Sequence, residues 1–164
     1  MRAVLNEIEA CLHGDHYLAA VMLALSVPDI AAAVGTQNAE STFEGYRGWF
    51  DAHVAPLYPL LTAETCWSLR RGLAPEGRLG PLRAQYARVL FTTPSAQGAA
   101  FHNDVVDDAL NLDTPTFCRD MAAAGLRWLE TREDDPVVRR NLARALEHRP
   151  AGLDPFMVGV PLLA

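Results

Sequence analysis

Apolar positions recur at helical spacing along most of the chain. Val4, Leu5, Ile8, Cys11 and Leu12 fall three to four residues apart with Glu7 and Glu9 outward, which predicts an amphipathic first helix closed by Gly14. From His16 to Val34 the pattern loses its polar face (Leu18, Val21, Met22, Leu25, Ile30, Val34), the mark of a central, buried helix. Pro28 should kink that helix or split it, because proline has no N–H for the preceding turn. Ser41-Thr42-Phe43-Glu44 has capping-box spacing and predicts a helix through Trp49 to about Val54, stopped by Pro56 and Pro59. Thr62 should cap the next, which carries Cys66, Trp67, Leu69, Arg70 and Arg71 and dissolves at Ala74-Pro75-Glu76-Gly77. Gly77 to Pro81 reads as a loop.

The period then changes. Tyr86 to Thr92 is rich in aromatic and branched residues and Ala109 to Leu112 alternates, so both predict short strands, joined by a polar segment long enough for a hairpin loop. Thr114-Pro115 is an N-cap and first-turn pair opening a helix with Phe117, Met121, Ala124 and Trp128 on one stripe. Asp135-Pro136 repeats the signal for a helix to about Glu147. The expected fold is mainly α: one domain over 1–164, a bundle of about six helices with a small two-stranded β appendage. Residues 153–164, apolar and interrupted by prolines, are expected to run extended against the bundle or across a subunit boundary.

Composition narrows the class. At 164 residues the chain can bury a real core, and its 50% hydrophobic and 21% charged residues are globular proportions. The net charge is −6 and all 14 basic residues are arginine, so a global nucleic-acid footprint is missing while a local arginine patch is still allowed. Cys11, Cys66 and Cys118 are odd in number and far apart, which fits reduced thiols in a cytosol rather than a disulfide framework or zinc site. The most apolar stretch, Tyr17 to Val27, is well short of the roughly 20 residues needed to span a bilayer. The expectation is a soluble cytoplasmic protein, without membrane, metal or cofactor.

Few residues carry chemistry. Arg70-Arg71 ends a helix, where cations suit the carbonyl dipole and could pair with Glu64 or Glu76; a guanidinium pair also suits phosphate. His53 follows Arg47 by six residues on a short helix and reads as an ordinary surface or core-edge histidine. His102, Asp104, Asp107 and Asp108 offer ligands for a divalent cation, yet lack the glycine and spacing of a calcium loop, so a solvated acidic loop is the default. Two aromatic stripes, Tyr46/Trp49/Phe50 and Phe117/Met121/Trp128, are more than so small a domain is expected to bury, which predicts that one faces a partner chain.

Ile8 to Leu12, Leu25-Ser26-Val27-Pro28-Asp29-Ile30, Trp49-Phe50-Asp51, Thr65 to Arg70, Asp113 to Trp128 and Gly159-Val160-Pro161 resemble an uncharacterised family of small bacterial helical proteins. The arginine-bearing helix of that family is similar to the arginine-x4–6-histidine signature of the HEPN superfamily. The resemblance implies a homodimeric helical bundle in which the arginine binds a scissile phosphate and the histidine transfers protons. In this chain the positions five residues after Arg70 and Arg71 are Pro75 and Glu76, so the histidine is not matched. The reading is a non-catalytic binding or regulatory protein, acting beside a protein partner in a defence or toxin–antitoxin setting. The alternative is a metal-independent HEPN-type RNA endonuclease, with Arg70 or Arg71 on phosphate and His53 or His102 displaced into the proton-transfer role.

Overall fold

The most apolar helix forms the centre of the molecule. In a computed structural model, which describes residues 1–76, 86–96, 98 and 101–164, α2 (Tyr17–Val34) packs against α1 (Arg2–His13), α3 (Phe43–His53), α4 (Ala63–Glu76), α5 (Thr114–Thr131) and α6 (Pro136–Leu142). With a mean hydropathy of 1.9 over 18 residues, α2 is long and apolar enough to pass for a membrane span, which corrects the shorter apolar stretch read from the sequence; 44% of it is buried inside the bundle. Pro28 does not split it. The helix runs through, with Ser26 Oγ donating to the Met22 carbonyl (2.8 Å) and the Tyr46 hydroxyl to that of Leu25 (3.2 Å) in the turns before the proline. At its C-terminus, Asn141 Nδ2 of α6 donates to the carbonyls of Val34 (2.9 Å) and Thr36 (2.7 Å), supplying partners that a helix end lacks.

The helix start signals hold to within a residue. Thr42, not Ser41, caps α3 and accepts from the Gly45 N–H (3.1 Å), which frees the Ser41 hydroxyl for another partner. Thr62 accepts from the Thr65 N–H (3.2 Å) at the start of α4, which continues to Glu76 rather than dissolving at Ala74. Asp113 caps α5 in place of Thr114, which becomes its first helical residue beside Pro115. Asp135 caps α6 as expected, but that helix ends at Leu142, well before Glu147. The predicted loop Gly77 to Pro81 lies outside the described residues, as do the side chains of residues 74–76.

Both expected strands form, but not as a hairpin. β1 (Arg88–Thr92) pairs parallel with β3 (Ala109–Asp113), in the register Val89 to Leu110 and Phe91 to Leu112. A third strand, β2 (Asp104–Val106), pairs antiparallel on the other side of β3, giving the order β1-β3-β2. β3 runs directly into α5, so the sheet rests on the bundle through Leu110 and Leu112, both fully buried.

The last residues do not lie along the bundle. β4 (His148–Arg149) pairs with β7 (Leu162–Leu163), and β5 (Gly152–Leu153) with β6 (Met157–Val158), all antiparallel. Together with reciprocal bonds between Glu147 and Ala164 they make one hairpin, with an extra residue on the returning strand beside Gly159 (φ 77°), the geometry of a bulge. Phe156, Met157, Val158, Val160 and Leu163 are exposed, which corrects the expectation that this segment packs on the bundle of its own chain.

Candidate functional site

The buried positions of α4, Cys66, Leu69 and Leu73, turn Trp67 and Arg70 toward α2 and α3. The Trp67 ring meets Phe43 (5.5 Å between centroids) and Tyr46 edge-on (5.1 Å). The Arg70 guanidinium stacks 4.8 Å above Trp67, and its Nε pairs directly with Oδ2 of Asp29 from the middle of α2. The Ser41 hydroxyl donates to the other Asp29 oxygen, Oδ1, at 2.6 Å. Burial holds the Tyr46 phenol well above its ordinary pKa, so it stays a neutral donor to Leu25. The result is a polar seam where α2, α3 and α4 meet: one cation, one anion, two hydroxyls and an aromatic lid.

The seam changes what Arg70 can do. Its charge is neutralised by a carboxylate only 14% exposed, so a phosphate would have to displace Asp29 and leave that anion partly buried without its counter-ion. Arg71, one residue on, is exposed to solvent. Arg47 is engaged by Asp51 (3.4 Å) and Glu64 (3.6 Å) and ties α3 to α4.

The histidines stand elsewhere. His53, in the last turn of α3, has its ring 5.1 Å from Trp49; burial and then the Arg127 charge push its pKa below the ordinary value. His102 accepts the Asp113 N–H at Nδ1 (3.1 Å), which leaves the proton of the neutral ring on Nε2, and it packs edge-on against Tyr58 (5.4 Å). The Tyr58 hydroxyl in turn donates to Asp120 Oδ2 (2.8 Å), and burial together with that bond raises its pKa. His102 thus latches the sheet to the start of α5. Among the described residues, no hydrogen bond, ion pair or ring contact joins either histidine to Arg70 or Arg71.

The acidic run after His102 is a turn rather than an open loop. Asp107 (φ 48°) and Asp108 (φ 61°) form the two-residue connection of the β2–β3 hairpin, both left-handed, a conformation Asp and Asn tolerate better than most residues. Among the described residues no three His, Cys, Asp or Glu side chains converge as a cation site would need. Burial raises the pKa of both core thiols, Cys118 to about 12, so neither is a thiolate nucleophile at neutral pH. Compared with known proteins, the chain matches no family model, no curated protein and no solved structure.

Both aromatic stripes are interior. Tyr46, Phe50, Phe117 and Met121 are fully buried and Trp49 and Trp128 nearly so, which corrects the expectation that one faces a partner. The sequence marks Ser41 only as a helix cap, and gives Asp29 and Tyr58–Asp120 no role at a site. The available signal was Asp29 itself: a carboxylate inside an otherwise apolar helix needs a partner.

Proposed function

We propose that this chain is a non-catalytic binding or regulatory protein that works as a homodimer. The observation that carries the reading is the Arg70–Asp29 pair: Arg70, one of the two arginines that the HEPN resemblance would place on a phosphate, instead ties α4 to α2 and stacks on Trp67, whose ring packs on α3. The net charge of −6 and the separate structural engagements of His53 and His102 support the same view. The resemblance further suggests a bacterial defence or toxin–antitoxin setting with a protein partner. The test is incubation with end-labelled single-stranded RNA in EDTA, comparing the natural chain with Arg71→Ala and with His53→Ala/His102→Ala. We expect no cleavage that distinguishes them. Cleavage by the natural chain that either variant loses, with its circular dichroism unchanged, would establish the endonuclease reading instead.

A further inference from the structure

The hairpin over residues 147–164 is bonded to itself and, among the described residues, shares no apolar side chain with the core, whose buried members there all lie at or before Val138. Phe156 is 84% exposed, Val158 71%, Leu163 68% and, at the root, Leu146 61%. An isolated two-stranded hairpin is marginal in water, and this one presents apolar side chains along its returning strand instead of the charges that usually protect such an edge. At its root lies a cleft of about 530 Å³ between α1, α2 and α6, lined mostly by apolar side chains including Met1, Val4, Ile30, Val34 and Leu146.

We infer that the hairpin is an exchange arm, whose apolar strand seats in that cleft on a second copy of the chain. The inference rests on the homodimer half of the function proposed above and says where the interface is. A second copy is favoured because one chain carries both complementary parts, so a two-fold exchange covers each without a third component. The areas agree. Phe156, Met157, Val158, Val160 and Leu163 are 48–84% exposed and together leave on the order of 450 Å² of side chain in water. An exchange that covers one arm and one cleft on each protomer reaches the lower end of stable interfaces, about 600 Å² per partner. Eight residues of strand from Glu147 extend about 25 Å. Gly152 (φ 89°) lets the strands close at this point, since a Cβ there would lie 2.1 Å from the Met157 carbonyl oxygen.

Sedimentation equilibrium of the full chain from low to high micromolar concentration tests this, beside Phe156→Asp/Val158→Asp and a control, Leu18→Asp, at an exposed apolar position (66%) on α2. We expect a dimer for the natural chain and for the control, and at least a tenfold weaker association for the double variant with unchanged circular dichroism. A natural chain that stays monomeric throughout overturns both this inference and the homodimer. A dimer that the double variant leaves intact overturns the arm alone. The seating is tested by mixing Ala33→Cys and Phe156→Cys chains, each with Cys11→Ser. A disulfide-linked pair in the mixture, beyond what either chain forms by itself, is expected, and its absence overturns the cleft as the seat.

Discussion

Arg70 was legible as a cation at a helix end, with Glu64 or Glu76 as local partners, but its actual partner is Asp29, 41 residues earlier on α2. Local spacing cannot reveal a pairing made by tertiary packing, just as it could not show that His102 would accept from Asp113. The physics of such a pair gives a prediction. The Asp29 side chain is 14% exposed and that of Arg70 31%, so removing either leaves the other poorly solvated. Asp29→Ala and Arg70→Ala should each destabilise the fold by about 2–4 kcal/mol in urea denaturation. The double variant should lose clearly less than the sum, since it leaves no orphaned charge. Strict additivity would show that the two residues contribute independently and that the seam is not a unit.

At the scale of elements, helix starts were readable because caps and prolines act locally, while helix ends and strand pairing were not. The sequence signals at 86–92 and 109–112 identified strands, yet nothing within either strand encodes that they run parallel, and β2 was hidden in a stretch that reads as acidic loop. Only the left-handed Asp107-Asp108 pair makes that stretch a hairpin. Packing between helices is equally non-local. Gly125 sits in the middle of α5, where a Cβ would come 2.9 Å from Val27 Cγ1 and 3.0 Å from Leu5 Cδ2, both in the buried core. By helix propensity Gly125→Ala should gain about 1 kcal/mol. Because α1, α2 and α5 meet there with no slack, overpacking should win at a cost of about 1–3 kcal/mol. Thermal denaturation decides it, and a melting temperature that rises would mean the three helices can part without penalty.

For the whole molecule the question is where the domain ends energetically. The apolar tail was readable as something that must be covered, but a sequence cannot say whether its own bundle or another chain covers it. The structure leaves the hairpin off its own core: among the described residues the buried core is complete by Val138, the last side chains packed on it are those of α6, and the hairpin closes on itself through Glu147 and Ala164. A chain truncated after Leu146 should therefore keep its helical circular dichroism and unfold in one cooperative step. At low micromolar concentration its melting temperature should lie within a few degrees of that of the full chain, since no core side chain is lost. The two should diverge as concentration rises. An associating full chain gains stability by mass action, whereas the truncated chain should melt at the same temperature at every concentration. A truncated chain that loses cooperative melting would show that the hairpin braces its own bundle after all. One whose melting temperature still climbs with concentration would place the association on the helices rather than on the arm.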